Sequence, residues 1–310
     1  MHGKNNRHEG SFGHHVLWLE LLIQNQPILC SREVHNQLFY ATIAGLGLTG
    51  LISRVAIRLK KASDCVQVNK IHFQSLEELL LYMTVKGIDA EYQMAWIDLL
   101  HPSKRSILSQ AQHVPSQNLP SPYPYRLPKL PFCLLHRYNM SWINQWIFKS
   151  TKNEALVTLT HYNNPLDQIR NWNGLYGPRG FIQFQAVFDR DEGLHILNQL
   201  LELIQFYKAT PILCVLKLFT QEGEGLLSFC RPGFTLAIDF YNNPEARQAI
   251  LAMNEYIVSV RGRIYLAKDL LLLPEQMQSM YGKLELFQDI LTTYNSNMTS
   301  NLARRLRIVL

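Results

Sequence analysis

Three segments place chemistry-bearing side chains at every second residue. In residues 181–188 the amides Gln183 and Gln185 alternate with Ile182, Phe184, Ala186 and Phe188, a period of two that puts both amides on one face of a strand. In residues 212–219 Lys217 interrupts an otherwise apolar pattern, and in residues 234–240 Thr235, Ala237 and Asp239 oppose Phe234, Leu236, Ile238 and Phe240. A lysine in mid-strand among Leu213, Val215 and Phe219 needs an anion, a polar cavity or water, because burying an unpaired ammonium is costly. Two arrangements satisfy the pattern. If these strands pair in one antiparallel sheet with helices over the greasy side, the other side is a pocket floor of amides, an ammonium, a hydroxyl and a small side chain. Otherwise the same residues form a plain solvent-facing sheet, where Gln and Thr are ordinary occupants.

The elements that must position these residues are legible around them. Leu194, Leu197, Leu201 and Ile204 recur at helical spacing behind Asp189, Asp191 and Glu192, and Asn243-Pro244-Glu245 reads as an N-cap with proline at the first helical position. Upstream, Ser75-x-x-Glu78 is a capping box for a helix through residues 79–82 that stops near Gly87. Residues 91–99 then alternate as a strand with Tyr92, Met94, Trp96 and Asp98 on one side. Nearer the start, residues 16–23 and 27–31 read as strands around a polar turn, residues 36–44 as a short helix, and residues 51–59 as a further strand. Between the last two lies Gly45-Leu46-Gly47-Leu48-Thr49-Gly50, where glycines permit close backbone approach to a ligand or strand. That spacing is not GxGxxG, and a tight turn explains it equally well. Residues 115–131 hold six of the 14 prolines and no apolar period, so they read as a long loop, a lid or a linker.

Composition bounds the rest. With 310 residues and 47% hydrophobic content the chain is globular, with two domains as the size-based expectation. A formal charge of +6 favours anionic partners but reads as solvated surface, so no nucleic-acid partner is expected. Five cysteines with no CxxC spacing support neither a disulfide framework nor a zinc site, which points to a reducing, cytoplasmic setting. The opening stretch, MHGKNNRHEGSFGHH, is too polar for a secretory signal and reads as a binding loop.

Nine motifs then occur in order: His2-Gly3-Lys4-Asn5, Gly10-Ser11-Phe12-Gly13, Leu38-Phe39-Tyr40-Ala41-Thr42, Gly47-Leu48-Thr49-Gly50, Ala95-Trp96-Ile97-Asp98, Trp172-Asn173-Gly174-Leu175-Tyr176-Gly177, Gly180-Phe181-Ile182-Gln183-Phe184-Gln185, Tyr265-Leu266-Ala267-Lys268-Asp269 and Leu302-Ala303-Arg304-Arg305-Leu306. Together they resemble the FAD-dependent decaprenylphosphoryl-β-D-ribose oxidase group of the vanillyl-alcohol-oxidase-like flavoproteins, which include the sugar-lactone oxidases. The resemblance spans essentially the whole chain. It implies an α+β fold: residues 1–62 as the later part of an FAD-binding domain, residues 63–262 as a substrate domain with a central antiparallel sheet flanked by helices, and residues 263–310 as a return to the FAD domain. It also implies oxidation of a secondary hydroxyl on a polyprenylphosphoryl pentose by hydride transfer to flavin. An aldonolactone oxidase and an inactive remnant or interaction module are the alternatives.

By the same resemblance, Gln183, Gln185, Lys217, Thr235 and Ala237 line the substrate cavity with His2, Lys4 and Trp96. His2, Ile52 and Tyr265 contact the flavin, and Lys268 sits beside the ring and the substrate. Residues 115–131 match a mobile stretch over the pocket. No carboxylate stands out as the base for the hydroxyl proton, so His2, Lys217 and Lys268 are the catalytic candidates; a lysine qualifies only if its pocket depresses its pKa. The implied partners are a sugar or lipid-linked sugar and either a separate chain supplying the missing FAD lobe or a short-chain reductase. A lipid-linked substrate favours peripheral contact with the inner membrane surface, although no amphipathic anchor stands out.

Departures from the family pattern are Asn6-Arg7 for a usual pair of histidines, Asn163 for an aromatic or histidine, Thr235 for asparagine, and Ala237 where many members have cysteine. The family's glycine-rich pyrophosphate segment lies upstream of the His-Gly-Lys-Asn stretch, which begins here at residue 2. The sequence-based expectation is therefore a truncated chain that, expressed alone, is poorly soluble and retains little FAD. Purification as a yellow, monodisperse 310-residue protein would contradict it.

Overall fold

The structure, a computed structural model, describes residues 6–119, 125–128 and 131–309. It opens with a hairpin of β1 (Val16–Ile23) and β2 (Gln26–Ser31). The two loop residues, Gln24 and Asn25, have φ of 49° and 62°, the left-handed pair that matches strand twist in a two-residue turn. After α1 (Asn36–Thr42), β3 (Leu51–Ile57) pairs antiparallel with the other side of β1. As the outer strand it leaves Leu51, Ile52, Val55 and Ile57 exposed.

The middle of the chain supplies β4 (Cys65–Phe73), α2 (Leu76–Leu81), β5 (Tyr92–Ile97), β6 (Ser106–Val114), the short β7 (Tyr125–Arg126) and α3 (Arg137–Ser150). It continues with β8 (Glu154–Thr158), α4 (Leu159–Asn163), the short β9 (Ile169–Arg170) paired with β7, β10 (Phe181–Phe188), α5 (Gly193–Phe206) and β11 (Pro211–Phe219). Then come β12 (Gly233–Tyr241), α6 (Pro244–Ser259) and β13 (Arg263–Ile264), and finally α7 (Pro274–Met280), α8 (Leu284–Thr293) and α9 (Asn301–Arg305). Eight strands form one antiparallel sheet in the order β13-β10-β12-β11-β5-β6-β4-β8. The protein is thus α+β with a central antiparallel sheet, as the motifs imply.

One face of that sheet is the core. Phe184 and Phe188 of β10, Leu216 of β11, Phe234, Ile238 and Phe240 of β12, and Ala95 of β5 are all buried in one cluster with Leu79 of α2, Ile196 and Leu200 of α5, and Ala249 and Met253 of α6. The caps read from sequence are present: Ser75 Oγ accepts from the Glu78 N–H at 3.2 Å, and Asn243 Oδ1 accepts from the Ala246 N–H at 2.9 Å. The same core runs into the chain's two ends, where Leu21, Leu38 and Phe39 pack with Met277, Phe287 and Leu306. Ser296 Oγ, donating to Leu48 O at 2.6 Å, ties those ends further.

α2 starts at Leu76, behind its Ser75 cap, and stops at Gly87 as expected, but after Leu81 it widens into a π turn over Tyr82–Lys86 closed by the Gly87 N–H on Tyr82 O at 2.8 Å. The freed carbonyls meet Arg7, whose Nη1 donates to Met83 O, Gly87 O and Gln93 Oε1 at 3.0, 3.1 and 3.0 Å. The Asn6-Arg7 departure therefore has a structural reason: Arg7 is a buried strut that pins the opening loop to a helix end.

α3 was not legible beforehand, and it is held by a buried carboxylate. Asp98, just past β5, accepts from Arg105 Nε and Nη2 at 3.1 and 2.9 Å, from Asn144 Nδ2 of α3 at 2.8 Å and from the Leu100 N–H at 3.2 Å. Removing a buried ion's partner costs about 3–5 kcal/mol. Asp98→Ala, which strands Arg105 and Asn144, is expected to lower stability by about that much, measured by urea unfolding.

Candidate functional site

The sheet's register decides what lies opposite the core. Gln183 pairs with Asp239 and Asp239 with Leu213; Gln185 pairs with Ala237, Ala237 with Val215 and Val215 with Trp96; Val187 pairs with Thr235 and Thr235 with Lys217. These rows share the face turned away from α5 and α6. The structure therefore brings Gln183, Gln185, Lys217, Thr235, Ala237 and Trp96 onto one floor, and the plain surface reading gives way for Gln185 and Thr235, which are buried. Farther along the same face Tyr92 packs with Val66, Val68, Ala111 and Tyr162, closing the floor with α4, which carries Asn163 at its end. His2 and Lys4 lie outside the described residues, as do residues 120–124 and 129–130 of the proline-rich stretch.

The floor is prearranged by hydrogen bonds. Gln185 Nε2 donates to Thr235 Oγ1 at 3.2 Å, which fixes the amide and leaves its buried Oε1 as an acceptor without a partner among the described residues. Gln183 Nε2 donates to Asp239 Oδ1. Asp239 is 3% exposed, and burial pushes its carboxyl up to about 6 against the opposing pull of the Gln183 amide and the Lys268 charge. Sequence reasoning put Asp239 on this face but passed it over as a base. The signal available was the one applied to Lys217, an ionisable side chain in mid-strand among apolar neighbours.

Lys268 reaches the floor from the sheet's edge. The turn Leu266–Lys268 is hung on β10 by the Tyr265 N–H donating to Gln185 O at 2.9 Å; Lys268 lines a small cavity at the edge of β10 with Gln183, Gln185 and, from α6, Asn254, and its charge acts on Asp239. Next to it, Asp269 accepts the Leu271 and Leu272 N–H groups at 3.0 and 2.8 Å and pairs with Arg305 Nη2 of α9 at 2.5 Å. Arg305 Nη1 donates to Leu272 O at 2.6 Å. Arg305, part of the basic stretch near the end of the chain, is thus engaged within the fold.

Tyr265 faces a second space. Its ring stacks on Phe229 at 4.7 Å between centroids, and the two help to wall a cavity of about 190 Å³ with Ser11, Ile43, Leu46 and Cys230. The loop before Phe229 can lie there because residue 225 is glycine: a Cβ on it would stand 1.8 Å from Ile43 O. The segment 265–268 therefore joins an aromatic-walled cavity to the polar floor. Ile52 is not part of this wall; it is 48% exposed on β3, opposite Leu21 of β1. A larger concavity of about 720 Å³ beside α8 has Arg304 as its one charged lining group, and no acid–base pair, among the described residues.

These features fit the ring end of a flavin. Flat aromatic walls suit a tricyclic ring, a cation at Lys268 suits charge gained on reduction, and the Gln185 Oε1 suits an N–H or hydroxyl donor. Such a cavity against a polar sheet floor suits a flavin-linked oxidoreductase. Along its whole length the chain is 29% identical over 333 aligned residues to the decaprenylphosphoryl-beta-D-ribose oxidase of Mycolicibacterium smegmatis, of which it covers 72%. It is also 25% identical to an uncharacterized protein in the mprA 5′ region of Streptomyces coelicolor, over 99% of this chain and 90% of that one. No protein-family model matches. The resemblance read from the motifs is supported by these likenesses, and the chain is a relative of the decaprenylphosphoryl-β-D-ribose oxidases.

The raised Asp239 carboxyl has a thermodynamic signature. With a folded pKa of about 6 against roughly 4 unfolded, the folded state holds the extra proton between those values, so this residue's contribution to stability is full below about pH 4 and is lost as pH rises through 6. Asp239→Asn removes that dependence. The urea midpoint of the unaltered protein is expected to fall more between pH 4 and 6 than that of the variant.

Proposed function

We propose that this protein oxidises a secondary hydroxyl of a polyprenylphosphoryl pentose with FAD as cofactor. The observation that carries the reading is the meeting of Gln183, Gln185, Asp239 and Lys268 where the polar floor adjoins the cavity walled by Tyr265 and Phe229. When bound, FAD supplies the acceptor for the hydride leaving the carbinol carbon. Tyr265 and Phe229 would wall its ring, and Lys268 would lie beside it.

The chain's own residues supply the rest. Gln185, oriented by Thr235, accepts a hydrogen bond from a sugar hydroxyl at its open Oε1. Asp239 takes the proton of the reacting hydroxyl at Oδ2, the oxygen that Gln183 does not engage. A carboxylate whose pKa is raised to about 6 is ionised at neutral pH and still basic enough to be effective. With Asp239 as the base, this step asks no proton transfer of His2, Lys217 or Lys268. Lys217, in the row with Thr235, brings positive charge to the floor and suits an anionic phosphate.

The test is anaerobic mixing of the FAD-loaded protein with a polyprenylphosphoryl ribose or an aldonolactone, following loss of the flavin's visible absorbance. Bleaching by the lipid-linked sugar supports the reading, and bleaching by the lactone alone replaces it with a lactone oxidase. Asp239→Asn is expected to bind added FAD as the unaltered protein does, to slow reduction by about 10²–10⁴-fold, and to abolish the rise in rate as pH passes through about 6.

A further inference from the structure

We propose that the outward face of α3 docks on an anionic lipid surface. The helix carries two stripes at four-residue steps. One, Met140, Asn144 and Phe148, faces in: Met140 packs with Tyr176 and Ile212, Asn144 donates to Asp98 at 2.8 Å, and the Phe148 ring lies 4.7 Å beneath the Arg105 guanidinium and 4.9 Å from the His72 ring. The other, Tyr138, Trp142 and Trp146, is turned nearly opposite at 3.6 residues per turn and is 85%, 81% and 68% exposed. The helix thus buries an amide and holds its tryptophans in solvent, the reverse of a surface helix serving its own core. Because Asp98 fixes the inner stripe, the aromatic stripe has no freedom to turn inward.

Charge selects the occupant. Residues 99–153 contain no Asp or Glu, and Arg137 and Lys149 of α3 and Lys152 just after it are exposed. Tryptophan and tyrosine combine an apolar body with a polar tip and favour the membrane–water boundary, while basic residues are drawn to anionic headgroups. At 14 residues α3 is too short to span a bilayer and suited to lie in its surface. No helix among the described residues is long and apolar enough to cross one. α3 is thus the amphipathic element that sequence reasoning did not find. Docking rests on this helix alone. Its use, setting the floor beside headgroups that present a lipid-linked sugar, rests on the function proposed above.

The full chain is sedimented with vesicles of phosphatidylcholine containing phosphatidylglycerol, and with vesicles of phosphatidylcholine alone, while tryptophan emission is recorded. Binding to the anionic vesicles with a blue shift, weakened by salt, is expected. Trp142→Ser with Trp146→Ser should weaken it at least tenfold and remove the shift without changing thermal unfolding, and Lys149→Glu with Lys152→Glu should weaken it while leaving the stripe intact. Failure to bind, or equal binding to both vesicles, overturns the proposal. So does a dimer, seen by light scattering, that the tryptophan variants dissolve, since the stripe would then cover a second copy. No substrate is present in these measurements, so the outcome stands whether or not the sugar reading survives.

Discussion

Everything at the site depends on one register. β10, β12 and β11 pair without a slip through the rows that carry Gln183, Gln185, Thr235 and Lys217, so a two-residue period in each becomes one greasy side and one polar side of the sheet. A shift of a single residue would drive the amides and the ammonium under α5 and α6 and bring Phe184 and Phe234 out. The start of β12 is fixed by close approach. Gly233, with φ of 145°, brings its backbone to the Phe188 end of β10 where a Cβ would stand 2.1 Å from Phe188 O.

The burial that makes the floor also sets its chemistry. Asp239 lies low enough to lose water but keeps one amide donor and one distant cation, so burial outweighs both and the carboxyl titrates near the working range. Asp98, just past β5, has a different setting. There, four donors surround a carboxylate and make it a structural anchor. Two aspartates, one within β12 and one just past β5, take different roles because their donors differ in number and charge.

The floor was legible in the sequence because a half-polar strand in a sheet covered on one side has to alternate, and β10 and β12 do so over eight and nine residues. Ser75 and Asn243 were legible as caps because their side chains serve local backbone. α3 was not, since its most hydrophobic stripe points away from the core and its inward stripe contains Asn144. Arg7 and Ile52 show a different limit. A family position carries a residue type but not its surroundings: the structure gives Arg7 to a helix end, and it leaves Ile52 on an outer strand away from the aromatic cavity. Asp239 was passed over because its importance comes from desolvation, a property of packing rather than of spacing.

The fastening of Asp269 by Arg305 bears on the order in which the molecule matures. The anchor comes 36 residues later in the chain, in a helix that follows two others. During synthesis the sheet can zip up well before α9 has left the ribosome, while the segment bearing Tyr265 and Lys268 still lacks its clasp. The polar floor can therefore form early, and the cation that adjoins it is seated later.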